Sequence, residues 1–140
     1  VDGDLVHDLC DNCRFAVNTA QSDFDHDGQG DACDLNDGLI YEWRNDKTSV
    51  SWQAEAGPTS WNVYVGDLAV LRATGEYTQL PGANALATRQ CGVLTTMASE
   101  LGVPAAGKVS FSLVTGVLGG VEGSLGAATS GPRTNANPCP

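Results

Sequence analysis

Between residues 22 and 34 the chain reads SDFDHDGQGDACD, with aspartates at 23, 25, 27, 31 and 34. Carboxylates set this densely repel one another. A fold keeps them together only if a cation sits among them or if water solvates each one separately. The spacing bears on that choice. Counted from Asp23 as position 1, Asp25 is 3, Asp27 is 5, Gly28 is 6, Asp31 is 9 and Asp34 is 12. Alternate side chains of a tightly curled loop converge on one point, and a glycine at the sixth position permits the sharp turn this needs. A merely solvated stretch has no reason to keep such a register.

The register is the D-x-D-x-D-G-x5-acid spacing of an EF-hand-type calcium loop, with Asp in place of Glu at its end. Asp23, Asp25, Asp27, Asp31 and Asp34 are the expected side-chain ligands, and the carbonyl of Gln29 a further one. Hard carboxylate and carbonyl oxygens suit Ca²⁺, whereas Mg²⁺ resists so complete a loss of water. The helices that flank a true EF-hand are missing: LNDG follows Asp34, which is a turn. The loop must therefore be held by something else. Upstream, in VDGDLVHDLCD, Asp2, Asp4, Asp8 and Asp11 fall at positions 3, 5, 9 and 12 of the same register. Position 1 would precede Val1, and Leu5 stands where glycine is needed. This second site is expected to be weak, empty, or completed by a group from another molecule.

Charge is divided unevenly along the chain. Residues 1–37 hold ten aspartates and no glutamate against Arg14 alone, a balance of −9; residues 38–140 hold seven acids against six bases, a balance of −1, and the two sum to the net −10. Such a chain has no basic footprint, so nucleic-acid binding is not expected. No apolar run approaches the roughly 20 residues that span a bilayer, so no membrane span is expected. Starting at Val1 with neither an initiator methionine nor a signal peptide, the chain reads as a processed mature product. Five cysteines (Cys10, Cys13, Cys33, Cys91, Cys139) suggest an oxidising, extracytoplasmic compartment and at least two disulfides, with one thiol left over. A competing use for some of them is structural zinc on His7, Cys10, Cys13 and Cys33. It is disfavoured because neighbouring aspartates raise thiol pKa values and oxidation would consume the thiols.

Residues 1–37 lack any helical or alternating apolar period and are turn chemistry throughout. From Leu39 the texture changes. KTSVSWQAE (47–55), TSWNVYVGD (59–67) and GKVSFSLVTGVL (107–118) alternate apolar and polar residues and are rich in β-branched and aromatic types, as strands of an antiparallel sandwich or barrel are. GSLGAATSGP (123–132) reads as a weaker last strand, Gly119 and Gly120 as a strand turn, and VLTTMASELG (93–102) as one or two helical turns. Trp52, Val63 and Phe111 are expected core positions, and Trp43 and Trp61 are sugar-stacking candidates.

The stretch DNCRFAVNTAQSDFDHDGQGDACD (11–34) closely resembles a thrombospondin type 3 repeat, with the pattern D-N-C-P-x3-N-x2-Q-x-D-x-D-x-D-G-x-G-D-x-C-D, and only Arg14 departs from it, where proline is usual. The resemblance implies a calcium-wrapped segment without regular secondary structure and a bond between Cys13 and Cys33. It also implies that Asn12, Asn18 and Gln21 tie the backbone around the ions. Cys10 would pair with an upstream cysteine in such a repeat, so it is expected to be unpaired or to bridge to another molecule. TSVSWQAEAGPTSWNVYVGD (48–67) and VSFSLVTGVLGGVEGSLG (109–126) resemble a fibronectin type III-like sandwich, in a bacterial variant that follows such repeats in secreted proteins. Its tail is similar to SLGAATSGPRTNANPCP (124–140), which implies a Cys91–Cys139 bond and a natural end at Pro140.

The expected architecture is mainly β: an irregular calcium-bound segment over 1–37, then an antiparallel fibronectin type III/immunoglobulin-like sandwich over 38–140. No catalytic constellation is legible. His7 and His26 both lie in the acidic segment, no serine or cysteine nucleophile has a base outside it, and Glu42, Glu55, Glu76, Glu100 and Glu122 are scattered. The expected function is a secreted, non-enzymatic, calcium-binding structural protein, a subunit that associates with itself in a bacterial surface fibre or matrix. Two alternatives stand beside it: an adhesin or module binding cell-surface glycans, and the C-terminal fragment of a larger secreted enzyme.

Overall fold

The computed structural model describes every residue except Glu100, so the expectation that this glutamate is solvated lies outside the described residues. Residues 1–41 form turns and bends without helix or strand. The regular structure that follows is β1 (Glu42–Arg44), β2 (Val50–Trp52), β3 (Ser60–Asp67), α1 (Leu68–Thr74), β4 (Thr88–Val93), β5 (Met97–Ala98), β6 (Ser110–Leu118), β7 (Val121–Glu122), β8 (Ala127–Ala128) and β9 (Gly131–Pro132). The strands form antiparallel sheets of order β1-β2-β5 and β4-β3-β6-β7, plus a β8-β9 hairpin. The chain is mainly β, and its two larger sheets make a curled, sandwich-like arrangement.

The core follows from strand alternation. Val50 and Trp52 of β2 meet Trp61, Val63 and Val65 of β3, with Ala98 and Leu101 beside them. The rings of Trp52 and Trp61 lie 6.2 Å apart, tilted by 57°, within the range of favourable aromatic pairs. Trp61 is thus a core residue and unavailable for sugar stacking, whereas Trp43 on β1 is half exposed.

β3 is buried on both faces, and its second face is polar. Asn62 and Tyr64 are almost wholly buried there. The Tyr64 hydroxyl donates to Glu122 Oε1 at 2.7 Å and accepts the Cys139 N–H at 2.9 Å. Asn135 Nδ2 donates to Glu122 Oε2 at 2.9 Å, and Asn137 Nδ2 to the Thr78 carbonyl at 2.6 Å. With the Cys91–Cys139 disulfide, these bonds strap the C-terminal tail across the sheet. Phe111 belongs to this outer side, contrary to the expectation. It pairs with Gly66, where an added Cβ would come within 2.8 Å of its ring, so it is half-buried outside the core. Register explains the difference: Val114 pairs with Val63 and faces inward, so the odd-numbered residues of β6 face outward.

The helical turns expected over 93–102 are absent among the described residues. β4 runs to Val93, and Met97–Ala98 add to β2 as an edge strand. The one helix among the described residues, α1, follows β3 instead. Asp67 caps it by accepting the Ala69 N–H at 2.8 Å, and Gly75 ends it at φ 75°, donating to the Leu71 carbonyl. Gln79 holds the cap from behind, accepting from Asp67 N and donating to the Asp67 carbonyl, both at 2.9 Å. No helix among the described residues is long and apolar enough to cross a membrane.

Candidate metal centre

The acidic segment folds by hydrogen bonds between its own side chains and backbone. Most of its aspartates accept an N–H two residues ahead: Val6 N to Asp4 Oδ1 (2.8 Å), Cys13 N to Asp11 Oδ1 (2.8 Å), Gln29 N to Asp27 Oδ1 (2.8 Å) and Asn36 N to Asp34 Oδ1 (2.9 Å). Each such turn bends the chain sharply and leaves the second carboxylate oxygen free to point elsewhere.

Carboxylate oxygens gather in two places. Asp2, Asp4 and Asp11 each bring a carboxylate oxygen within 4.8 Å of the others, and so do Asp23, Asp25 and Asp27. In the later loop Gly28 N donates to Asp23 Oδ2 at 3.0 Å, closing the curl, and Gly28 adopts φ 96°. Leu5, at the equivalent place in the earlier loop, adopts φ 73°, so the turn forms there without a glycine. Three expected aspartate ligands stand outside these trios. Asp31 accepts the Phe24 N–H at 2.7 Å, and Asp34 turns toward Asn36. Asp8 departs further: its carboxylate meets the N-terminal ammonium at 2.8 Å and lies 4.0 Å from Arg14.

Amide side chains and one disulfide brace the loops. Cys13 is bonded to Cys33, which removes both thiolates from the alternative zinc set, and Cys10 is free and exposed. Asn12 N donates to Gln21 Oε1 at 2.9 Å, and Asn12 Nδ2 to the Gln21 carbonyl at 3.2 Å. Gly30 N donates to the Asn12 carbonyl at 3.0 Å, and Asp31 N to the Ser22 carbonyl at 3.0 Å. Gln29, expected to offer its carbonyl, uses its side-chain amide to donate to the Cys33 carbonyl at 2.7 Å.

Electrostatics tests whether a cation belongs here. Asp4, Asp11, Asp31 and Asp34 are 4%, 8%, 6% and 1% exposed, and among the described residues none has a Lys, Arg or His partner. Burying ionised carboxylates without a counter-charge costs several kcal/mol each. Asp2 Oδ2, Asp11 Oδ2, Asp23 Oδ1 and Asp34 Oδ2 are buried with no hydrogen-bond partner. The Asn18 amide sits beside the first trio, 3.2 Å from Asp4 Oδ2 and 3.3 Å from Asp11 Oδ1. The donors are all hard oxygens, so the residues fit Ca²⁺. Asp2, Asp4, Asp11 and Asn18 would hold one ion, and Asp23, Asp25 and Asp27 another. What the ion supplies is charge neutralisation and cross-linking of a segment without an apolar core.

Negative charge also accumulates where the segment meets the sandwich. Burial, and then the charge of Asp34, raise the Asp37 carboxyl above its ordinary pKa. Burial, and then Asp37, do the same to Glu55.

Comparison with known proteins agrees with the acidic segment and is silent on the rest. No family model matches the chain, and no solved structure matches it. Thrombospondin-1 of Xenopus laevis is 49% identical over 43 residues, which is 29% of this chain and 4% of that protein. The chain therefore spans a small fraction of the curated relative it matches. The similarity supports a thrombospondin type 3-like, calcium-binding, extracellular type of segment, and nothing in these comparisons supports a fibronectin type III identity for residues 38–140.

Proposed function

We propose that this chain is a non-catalytic extracellular structural protein whose acidic segment is shaped by Ca²⁺ and joins subunits of a surface fibre or matrix. The observation that carries the calcium part is the set of buried, partnerless aspartate oxygens in a segment of charge −9. Ca²⁺ at about ten times its dissociation constant adds roughly 1.4 kcal/mol per site.

The assembly part is supported by what the segment leaves uncovered. Leu5, Leu9 and Phe15 are 97%, 88% and 83% exposed, and the free Cys10 lies among them. Large apolar side chains left exposed on a polar segment offer contact surface, and an exposed thiol can bridge two copies in an oxidising compartment. The two internal disulfides fit such a compartment.

Sedimentation of the chain with calcium, with chelator, and with reductant tests this reading. Larger species in calcium that dissociate on chelation are expected, with Cys10→Ser reducing the covalent fraction. Unchanged size, protease resistance and melting on chelation would refute it. A monomer that instead binds a glycan would favour the adhesin reading, for which half-exposed Trp43 is the residue to substitute. A native precursor extending far beyond Val1 would favour the enzyme-fragment reading.

A further inference from the structure

The two ends of the sandwich differ in charge. Along β3 and β6, Ser60 pairs with Val117 at one end and Asp67 with Ser110 at the other. Seven steps of about 3.3 Å set these ends roughly 23 Å apart. At the Ser60 end lies the acidic segment. There Phe24 lines a groove of about 880 Å³ together with Leu39, Ile40, Pro58, Leu118 and Val121. Phe24, Leu118 and Val121 are exposed. The charged groups among the groove's described lining residues are Glu55 and Glu122, both acidic, and residues 1–37 add a balance of −9 alongside.

At the Asp67 end three stretches meet. Leu68 N donates to the Val109 carbonyl and Leu101 N to the Thr48 carbonyl, both at 2.9 Å. Arg44, Lys47 and Val103 line one hollow there, and Arg72, Lys108 and Val109 another. Over 44–49, 67–75 and 102–110 four bases (Arg44, Lys47, Arg72 and Lys108) stand against Asp46 and Asp67, a balance of +2. They are four of the six bases in residues 38–140, and all four are exposed, as are Val103 and Val109. The two acids are engaged within the fold. Asp46 accepts the Thr48 N–H at 2.7 Å and the Thr48 hydroxyl at 2.9 Å. Asp67 caps α1 and meets Lys108 Nζ at 3.3 Å. Among the described residues Lys47 and Arg72 have no ion-pair partner.

We propose that the basic end of one copy docks on the groove and acidic segment of the next, a head-to-tail contact between copies of this chain. It rests on the reading that the chain assembles with itself, and it names the surface that the acidic segment meets. Opposite charge at the two ends aligns copies in one sense and opposes pairing of like ends. Exposed ion pairs contribute little affinity, so Val103 and Val109 against Phe24, Leu118 and Val121 supply most of it. A contact between two different surfaces of one chain repeats from copy to copy, and it builds a fibre wherever its rotation does not close a ring.

Sedimentation velocity of the full chain in calcium and reductant, where Cys10 cannot bridge, tests the contact. Lys47→Glu with Arg72→Glu reverses charge at one end, and Val121→Asp spoils the groove at the other. All three positions are exposed, and near-UV circular dichroism checks that the sandwich persists. Each variant alone is expected to associate at least about tenfold more weakly than the unaltered chain. Mixed in equal amounts, the two are expected to restore a dimer and nothing longer, because each keeps the end that the other lacks. On the unaltered chain, added salt at fixed calcium is expected to weaken association. Variants that associate like the unaltered chain, a mixture no larger than its separate variants, or indifference to salt overturns the proposal. If the unaltered chain still associates in that case, the assembly reading survives alone; if it is monomeric in calcium, both fall.

Discussion

Gly30 sits where the backbone of the calcium loop passes closest to its brace. A Cβ built there collides with the Asn12 side-chain amide. Substituting alanine forces Asn12 away from the Gln21 and Ser22 carbonyls it donates to. The expected cost of this overpacking is about 1–3 kcal/mol, read as a lowered denaturation midpoint in calcium. Gly28 poses a different constraint, since its Cβ would meet open space and only its φ of 96° resists a side chain. Alanine at 28 is expected to weaken calcium binding through strain of about 1–2 kcal/mol, roughly 5- to 30-fold in affinity, without unfolding the sandwich. On the sandwich side, Tyr64→Phe removes the donor to Glu122 and the acceptor for Cys139 N. Glu122 Oε1 keeps the Thr115 hydroxyl, but the Cys139 N–H loses its acceptor, at a cost of about 1–3 kcal/mol, measurable by urea denaturation. The turn at Gly28 and the gathering of Asp23, Asp25 and Asp27 were legible in the sequence because alternate aspartates ahead of a glycine curl toward one point, whereas Asp31 and Asp34, expected at the same point, stand outside that trio. Tyr64 was not legible as a hub, because its partners Glu122, Asn135 and Cys139 come from distant positions brought together by the fold.

At the scale of elements, the acidic segment depends on cross-links where the sandwich depends on packing. Opening the Cys13–Cys33 bond, which closes a separation of 20 residues, by a double serine substitution should cost about 3 kcal/mol by the loop-entropy account. Faster proteolysis within residues 1–37 is the readout. Two carboxyls where the segment meets the sandwich add a pH dependence. Asp37 and Glu55 both have folded pKa values raised above their ordinary ones by burial and then by the charge of neighbouring aspartates. An acid so raised binds its proton more readily folded than unfolded. Without calcium, the contribution of these two groups is therefore greatest below the ordinary carboxyl range and is lost as pH rises through the raised values. Calcium held by the aspartate trios requires ionised carboxylates, so its stabilisation weakens as pH falls. Melting curves in chelator and in calcium across this range should converge on acidification.

Strands β2, β3 and β6 were legible from alternation, yet the inward face of β6 was not. Both its faces are covered, so Phe111 and Val114 are equally plausible as core until register is known. α1 was overlooked although its signals are present, with Asp67 before the apolar run and Gly75 after it. Seven residues are too few for a helical period to stand out beside a long strand. The segment over 93–102 was misread for the opposite reason: its composition tolerates a helix, but pairing with β2 decided the outcome.

For the molecule as a whole, acidic charge and apolar burial fall in different stretches of the chain. Residues 1–37 carry ten of the chain's aspartates and contribute only Cys13 to the buried apolar residues, whereas Val50, Trp52, Trp61, Val63 and Val65 lie in the sandwich. A segment without an apolar core offsets little of its own conformational entropy by hydrophobic burial, and on the proposed function divalent ions, with the Cys13–Cys33 bond, supply the difference. Native-state amide hydrogen exchange, compared residue by residue in calcium and in chelator, tests that claim most directly. The account predicts protected amides at Cys13, Gly28, Gln29 and Asp31 in calcium that exchange freely in chelator, while those of β3 and β6 stay protected in both. Equal protection of residues 1–37 with and without calcium would contradict it.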